Sequence, residues 1–446
     1  MSCSRTRLFI RLGKVLAVAL VLVLATGIAA RTRYGAHPDE RVHVGGFNYF
    51  EQHWWPPDYG SDEVVYSGYG WSRVYTGELV YLIYGKLGHI IQWLGHSEEQ
   101  SYLAYRMINV VLLGLTLTAL FTARPGVIKP SVVGLTLLCV PQVLYVYTYA
   151  NSDAWGITLS LLLFIMAANM MDQPLAVSFS WRRAVLFGAI AGLLMASKTP
   201  YILALVLPLL LLGSRGVQDW RAGSAESQWS SFGKRVLVSA LLALTIAAPL
   251  RIIYPLTQSR AGHSVEAMRE AQAIEGYRPS SPTYPTYRMA AKGVAYRQML
   301  GRQQWMELTA GSFYGCFRNM NVRSPFWLYA LVAAGAGITV VWNMVGGWRF
   351  WKNYPLALKC GLVASPFILA ANVWGSMIHS LHVDFQPQGR YLFASLVPVT
   401  FLLAGDMHFI ASKSPVWRFR LFLFIVMFAL AVYDLLLLVL LNPALR

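Results

Sequence analysis

Charged side chains are scarce in this chain, and their scarcity excludes an ordinary soluble protein. Only 13% of the 446 residues are Asp, Glu, Lys or Arg, whereas 56% are hydrophobic. Soluble globular domains use about 25% charged residues. The composition therefore predicts a polytopic protein that crosses a membrane several times.

Cysteine is also rare, which excludes a scaffold held together by disulfides or zinc. Cys3, Cys139, Cys316 and Cys360 are widely scattered, and no two of them have the close spacing of a metal or redox motif. The sequence further lacks an internal repeat, a low-complexity tract, a strand-rich domain and a Gly-rich nucleotide loop after a strand. We expect no nucleic-acid partner.

The basic residues that are present indicate a topology. Lys and Arg outnumber Asp and Glu by 37 to 20, a net charge of +17, and in membrane proteins they collect in cytoplasmic loops. Basic clusters lie at every second connection, at 5–14, 124–129, 182–183, 215–235, 349–359 and 413–420. Apolar runs lie between them, at 13–30, 103–123, 128–149, 154–171, 184–197, 201–213, 236–254, 325–347, 356–377, 391–410 and 419–441.

This alternation predicts an all-α polytopic fold of about eleven transmembrane helices in one domain, residues 1–446. The N-terminus is expected inside and the C-terminus outside. The first apolar run resembles a signal peptide but is long for one, and we interpret it as an uncleaved first helix. Segment 184–213 is expected to be two short helices broken at Lys198-Thr199-Pro200, because basic clusters flank it on both sides.

Two large loops fall on the predicted extracytoplasmic face, at 31–102 and 255–323. In the first, segment 75–94 is apolar but interrupted by charges, so we interpret it as a helix at the membrane interface; a further spanning helix is the alternative.

The second loop, 255–323, holds nine basic residues that run against the positive-inside bias. Its central part, 276–285, is too rich in Pro and Gly for regular helix, whereas 263–275 and 287–308 are expected to be helical. A loop of this length is typically a lid or a binding loop, and its cations favour either an anionic ligand or acidic lipid headgroups.

The most informative stretch is His37-Pro38-Asp39-Glu40-Arg41-Val42-His43, just after the first apolar run. Proline suits the first turn of a helix. On such a helix Asp39 and His43 are four residues apart and share one face. Charged groups at membrane depth are costly unless they serve a site or pair with each other, so this concentration indicates a functional site.

Other polar side chains are predicted on the same membrane face, in separate connections. They are Asn151 and Asp153 after the third span, Lys198 at the break, and Gln388, Arg390 and Tyr391 before the tenth. Arg390 offers a planar fork suited to phosphate, and Lys198 a compact cation. The structural alternatives are that Arg390 lies at the interface, that Lys198 pairs with Asp153, and that Asp153 caps its helix.

Three of these motifs together resemble the GT-C superfamily of membrane glycosyltransferases, which includes protein O-mannosyltransferases and the aminoarabinose transferase of lipid A. They are Pro-Asp-Glu-x-x-His at 38–43, Asn-x-Asp at 151–153 and Gln-Gly-Arg-Tyr at 388–391. The order and spacing, which cover nearly the whole chain, are similar to those of a bacterial membrane family of that superfamily. The resemblance implies a GT-C-like fold, a polyprenyl-phosphate-linked sugar as donor, and an inverting transfer on the extracytoplasmic face of the bacterial inner membrane. No large soluble domain follows the last predicted span, so we expect a lipid or glycan acceptor rather than a protein.

A mechanism of this kind gives each residue an expected role. Asp39 would be the catalytic base, and Glu40 would orient the acceptor or hold a cation. Lys198 and Arg390 would stabilise the departing phosphate. The expected binding residues are His43, Asn151, Asp153, Lys198, Gln388, Arg390 and Tyr391.

Several alternatives remain open at this point. No cofactor follows with certainty from the sequence, and Asp39, Glu40, His37 and His43 could instead bind a divalent cation. The same polar groups would also suit a transporter or flippase of lipid-linked glycans, or a ligase that joins such glycans. A transporter often shows repeated halves, which this sequence lacks.

Overall fold

The computed structural model describes residues 2–93, 101–124, 128–223, 226–282, 288–318, 320–404 and 416–436. Within these ranges the chain is mostly helical, and the only paired strands are two short antiparallel strands of two residues each. The helices are α1 (Ser2–Arg31), α2 (Glu40–Gln52), α3 (Leu79–Trp93), α4 (Ser101–Thr122), α5 (Pro130–Leu138), α6 (Pro141–Val146), α7 (Asp153–Asn169), α8 (Leu175–Ser178), α9 (Trp181–Met195), α10 (Val206–Arg221), α11 (Glu226–Ala248), α12 (Tyr254–Arg260), α13 (Val265–Gln272), α14 (Tyr296–Leu300), α15 (Trp305–Tyr314), α16 (Phe326–Phe350), α17 (Leu356–His382), α18 (Leu396–Ala404) and α19 (Val416–Leu435). The strands are β1 (Cys316–Phe317) and β2 (Val322–Arg323). Short 3₁₀ segments include Arg73–Thr76, Thr199–Leu205 and Gly389–Ser395.

The expected membrane character agrees with the helices. In the described ranges, five segments are long and apolar enough to cross a bilayer: Leu12–Arg31, Ser101–Thr122, Thr199–Arg221, Ser230–Arg260 and Leu356–His382. Shorter apolar helices at Leu79–Ile91, Asp153–Asn169, Phe326–Val341, Gly389–Leu403 and Phe422–Leu435 accompany them. The polytopic all-α class is thus confirmed, while the count of about eleven spans stays a prediction.

The core of the bundle is centred on α7, which is buried along most of its length. Large apolar side chains on the outer helices point away from this core and are exposed, among them Val23, Leu115, Leu241 and Phe367. Such an apolar outer surface is suited to lipid. Because α7 starts at Asp153, the most deeply packed helix begins at one of the predicted site residues.

Two predicted helical segments are interrupted. The expected span 128–149 is split into α5 and α6, because Pro141 cannot donate a backbone hydrogen bond and its ring disfavours a helical residue before it. Val140 is accordingly extended, with φ −113° and ψ 95°. In the expected helix 287–308, residue 287 lies outside the described residues, and residues 288–308 are likewise broken into a 3₁₀ turn, α14 and the start of α15, with Gln304 in the left-handed region at φ 54°.

The break expected at Lys198-Thr199-Pro200 is present. Helix α9 ends at Met195, and a 3₁₀ segment with Pro200 near its start leads into α10. Lys198 therefore lies in a turn between two helices, with its side chain free to point towards the start of α7.

The two large loops pack against each other. The Ile274 amide donates to the Gly68 carbonyl at 3.1 Å, the Tyr69 and Tyr277 rings are 4.4 Å apart between centroids, and Gln258 donates to Asp58 at 2.8 Å. The apolar segment expected at 75–94 forms α3, whose Tyr81 and Tyr84 are buried in a cluster with Phe47 of α2.

Candidate active site

Asp39 precedes α2 in an unusual backbone conformation. Its φ of 57° and ψ of 8° lie in the left-handed region, which Asp adopts more readily than most other residues. An Asp at this position ordinarily caps the helix with its side chain, but Asp39 makes no such hydrogen bond. Its carboxylate is therefore available to groups outside α2.

Two arginines from distant parts of the chain meet that carboxylate. Oδ2 of Asp39 accepts hydrogen bonds from Nη2 of Arg390 at 2.8 Å and from Nη2 of Arg73 at 3.3 Å. Burial by itself raises the pKa of Asp39, but the charges of Arg390 and then Arg73 outweigh it and hold that pKa well below its usual range. Asp39 is thus ionised, and 42% of its side chain remains exposed.

Arg390 is buried and only partly paired. It lies in the 3₁₀ segment before α18, and its side chain is 5% exposed. Among the residues that the structure describes, neither its Nε nor its Nη1 has a hydrogen-bond partner of good geometry, and the Tyr149 hydroxyl lies near the guanidinium. Buried donors are nearly always satisfied in proteins, so these two nitrogens could donate to a ligand.

Gly389 makes this arrangement of Arg390 sterically feasible. Its amide donates to Ser312 Oγ at 2.7 Å, and a Cβ at this position would lie 2.0 Å from the backbone nitrogen of Phe313. Only glycine allows α15 and the segment before α18 to approach so closely.

Lys198 provides a second cation beside Arg390. Its Nζ lies 2.9 Å and 3.1 Å from the two carboxylate oxygens of Asp153, and Tyr201 also donates to Asp153 at 3.2 Å. Lys198 is 5.0 Å from the ring centroid of Tyr391, and Arg390 is 5.5 Å from the same centroid. The aromatic ring of Tyr391 thus lies next to both cations.

Asn151 is fully buried and holds the start of α7. Its Oδ1 accepts from the amides of Asp153 and Ala154 at 2.8 Å and 3.1 Å, and its Nδ2 donates to the carbonyls of Val146 and Tyr149. Asn151 therefore caps the helix, the role that was one of the two alternatives for Asp153. Its amide is committed to the backbone, so it positions Asp153 rather than facing a ligand.

Glu40 has surroundings very different from those of its neighbour Asp39. It forms a fully buried, two-pronged ion pair with Arg106 of α4, with Nε–Oε1 at 2.7 Å and Nη2–Oε2 at 2.8 Å. Arg106 also donates to the carbonyls of Ala29 and Thr32 at the end of α1. Glu40 therefore ties α1, α2 and α4 together, and it does not have the access that an acceptor-orienting carboxylate needs.

The two histidines of the motif are buried beside hydroxyl groups. His43 lies 2.7 Å from the Tyr81 hydroxyl through Nδ1, and burial, followed by the charge of Arg73, lowers the pKa of its imidazole. No partner among the described residues reaches its Nε2. His37 lies between Thr32 and Tyr145, and burial likewise lowers its pKa.

The alternative of a divalent cation gains no support from this geometry. In the described part of the chain, no three His, Cys, Asp or Glu side chains are grouped in a way that would hold a metal. Glu40 is neutralised by Arg106, and Asp39 by Arg390 and Arg73.

Sequence reasoning did not identify Arg73 or Arg106. Arg106 carried a usable signal, because it is the only charged residue in the predicted span 103–123 and such a residue needs a partner. Arg73 carried none, since it lies in a loop among polar residues and reaches Asp39 only through the folding of that loop.

An apolar cavity of about 760 Å³ reaches Pro387 and Gln388, just before the segment that carries Arg390, and neither Arg390 nor Lys198 lines it. Its walls come from α5, α15, α16, α18 and α19. Ser312 and Gln388 both line the cavity. Ser312 accepts a hydrogen bond from the Gly389 amide, and Gln388 directly precedes Gly389. The Oε1 atom of Gln388 has no hydrogen-bond partner among the described residues. The cavity and the charged cluster are therefore connected through the chain at Gln388, two residues before Arg390.

Comparisons with known proteins give few matches. No protein-family profile matches the chain, and no curated protein sequence does. Solved structures similar to it include ArnT from Cupriavidus metallidurans bound to undecaprenyl phosphate, with 16% identity, a TM-score of 0.47 and coverage of 92% of this chain and 62% of that one. Another is the apo oligosaccharyltransferase of Archaeoglobus fulgidus, with 14% identity, a TM-score of 0.49 and coverage of 96% and 55%. The apo structure of the same ArnT has 14% identity and a TM-score of 0.37, and the match covers 88% of this chain and 77% of that one.

The chain thus spans 55–62% of the length of the first two structures. All three TM-scores are below 0.5.

Proposed function

We propose that this chain is an inverting glycosyltransferase of the GT-C type in the bacterial inner membrane. It would move a sugar from a polyprenyl-phosphate donor to a hydroxyl of a lipid or glycan acceptor on the extracytoplasmic face. The observation that carries the proposal is an accessible carboxylate, Asp39, 2.8 Å from a buried arginine with unpaired donors. A base and an anion site thus lie within one hydrogen bond of each other.

The unpaired nitrogens of Arg390 suit the phosphate of the donor. Guanidinium groups bind phosphate through charge-assisted hydrogen bonds, and this one is buried, where such bonds are strong. Lys198 lies 5.0 Å from the centroid of the Tyr391 ring that Arg390 also approaches, and it would add a second positive charge. Together they would stabilise the phosphate as it leaves, without a general acid.

Asp39 is the carboxylate best placed to act as the base. Of the three acids in the predicted site, the side chain of Asp39 is 42% exposed, whereas that of Asp153 is 1% exposed and that of Glu40 is not exposed. A single displacement with inversion needs one catalytic carboxylate, not two.

The chemical step follows from these positions. Asp39 takes the proton of the acceptor hydroxyl as the hydroxyl oxygen attacks C1 of the sugar. The bond between C1 and the phosphate oxygen breaks, and its electron pair stays on the lipid phosphate. One glycosidic bond is formed, and the proton remains on Asp39 until it is lost to solvent.

The apolar cavity supports a donor with a hydrocarbon chain. Its volume of about 760 Å³ and its largely aliphatic and aromatic lining suit an isoprenoid chain. Because Gln388 lines the cavity two residues before Arg390, a chain in the cavity would bring its phosphate towards the cations.

The direct test is transfer by purified protein. Supplied with a panel of polyprenyl-phosphate sugars and followed by mass spectrometry, the wild type should release lipid phosphate and form a glycosylated product. Asp39→Asn should lower turnover roughly 100- to 10,000-fold, the usual contribution of a general base. Glu63→Gln, which changes an exposed carboxylate in the same loop, is the matched control and should retain activity. Equal turnover by Asp39→Asn and the control would remove Asp39 as the base.

A further inference from the structure

In the structure, Arg390 pairs with Asp39, the carboxylate that the proposed reaction needs as its base. Nη2 of Arg390 donates to Asp39 at 2.8 Å, while Nε and Nη1 of the same guanidinium have no hydrogen-bond partner of good geometry among the described residues. A carboxylate paired with arginine is a weak base, because the positive charge stabilises its ionised form. Both arginines on Oδ2 therefore weaken Asp39 as a base, and Arg390, which makes the shorter contact, weakens it most.

Arg73 contacts the same oxygen of Asp39 but belongs to a different part of the molecule. It begins the 3₁₀ turn Arg73–Thr76, and its Cβ packs so closely on α2 that a Cβ added to Gly46 would lie 3.0 Å away. Arg73 and Asp39 are thus both fixed to α2. Arg390 comes from the segment before α18, far along the chain.

An anion at Arg390 would compete with Asp39. Phosphate and carboxylate are both acceptors for the same guanidinium, and a lipid phosphate at Nε or Nη1 would reduce the positive charge that acts on Asp39. The contact of Asp39 with Arg73 would remain, because it does not depend on the segment before α18.

We infer that binding of the donor phosphate releases Asp39 from Arg390, so that Arg73, as a positioning residue, alone keeps the carboxylate in place for the acceptor. This inference rests on the proposed function. It assigns an order to the reaction, in which Asp39 becomes a stronger base once the donor is bound, because only the longer contact with Arg73 then remains. By linkage, Asp39 must also weaken the binding of the phosphate.

The measurement is binding of undecaprenyl phosphate, which carries no sugar, to the purified full-length protein in detergent. Asp39→Asn should bind it at least about fivefold more tightly than the wild type, the lower end of typical coupling between two ligands. Arg390→Gln should bind it more weakly, and Asp39→Asn should no longer tighten binding when it is added to Arg390→Gln.

Arg73→Gln tests the positioning role separately. Without Arg73, Asp39 depends on Arg390 alone, so binding of undecaprenyl phosphate should weaken several-fold, and this effect should vanish in the Asp39→Asn background. A direct contact of Arg73 with phosphate would instead weaken binding in both backgrounds and would overturn the assigned role. Each variant is accepted only if its thermal unfolding stays cooperative, and Asp39→Ala replaces Asp39→Asn if the latter does not fold.

The outcomes separate this inference from the proposed function. Tighter binding by Asp39→Asn that depends on Arg390 supports the release. Unchanged or weaker binding by Asp39→Asn, with loss in Arg390→Gln, would keep the phosphate site and overturn the release. Binding of undecaprenyl phosphate that is unchanged in Arg390→Gln would overturn the proposed function together with the inference.

Discussion

Two adjacent acids in this protein have opposite environments and therefore different chemistry. Asp39 is partly exposed between Arg73 and Arg390, whereas Glu40 is buried against Arg106. A buried ion pair is costly to form, but removing one partner leaves an unpaired charge and destabilises strongly. Glu40 is thus part of the fold that holds Asp39 in place.

This difference predicts a large stability effect at Arg106. Arg106→Met should lower the free energy of unfolding by about 3–5 kcal/mol, because Glu40 would be left charged and unpaired in the interior. Thermal unfolding followed by tryptophan fluorescence measures it. Arg182→Gln, an exposed arginine on α9, should change stability by less than about 0.5 kcal/mol. A double variant with Glu40→Gln should recover much of the loss, and an unaltered transition in Arg106→Met would contradict the assignment.

Residue identity made part of the site predictable. Asp39, Lys198 and Arg390 stood out because charge is rare in an apolar chain, and the structure brings Asp39 and Arg390 to 2.8 Å. The different environments of Asp39 and Glu40 were not predictable. They depend on Asp39 being in the left-handed region and on Arg106 reaching across from α4, and both arise only from tertiary packing.

At the scale of elements, the residues of the site lie where helices begin or end. Asp39 precedes α2, Asp153 begins α7, Lys198 follows α9, and Arg390 precedes α18. Helix ends leave backbone groups unsatisfied and bring polar side chains with them. Four ends that point to one region concentrate these groups at the edge of the apolar core.

The close approach at Gly389 gives a prediction at this scale. Gly389→Ala should disrupt the segment that carries Arg390, because its Cβ would lie 2.0 Å from the Phe313 backbone nitrogen. We expect a loss of about 1–3 kcal/mol or more in unfolding free energy, together with weaker binding of undecaprenyl phosphate.

Gly375→Ala in α17 is the matched control for that substitution. A Cβ at Gly375 meets no atom within 4 Å, so this change should stabilise the helix by roughly 0.5–1 kcal/mol. If Gly389→Ala behaved like Gly375→Ala, the close contact with α15 would not exist.

Breaks in helices were predictable where local chemistry causes them. The basic clusters on both sides required a break at Lys198-Thr199-Pro200, and it is present. The split at Val140 was not predicted, although Pro141 signals it. The length of the apolar run 128–149 suggested one continuous helix instead. The division of 287–308 into short pieces depends on how that loop packs, which periodicity does not record.

For the whole molecule, the alternation of basic clusters predicts which side of the membrane carries the site. All four helix ends of the site belong to connections that lack such clusters. The positive-inside rule therefore favours an extracytoplasmic site, in agreement with a lipid-linked donor.

Cysteine accessibility in intact cells checks this orientation. In a background with the four native cysteines replaced, Glu63→Cys in the first loop should react with a membrane-impermeant maleimide. Arg182→Cys in a basic cluster should react only after the cells are opened. Both positions are exposed, so a difference reports sidedness, and the opposite pattern would invert the proposed topology.

The most direct test of a phosphate site beside the base is an experimental structure of the protein with undecaprenyl phosphate. We expect the phosphate within hydrogen-bond distance of Arg390, near Lys198, with the isoprenoid chain in the apolar cavity and Asp39 contacting Arg73. A phosphate bound elsewhere, with the contact between Arg390 and Asp39 intact and the cavity empty, would contradict the proposed site.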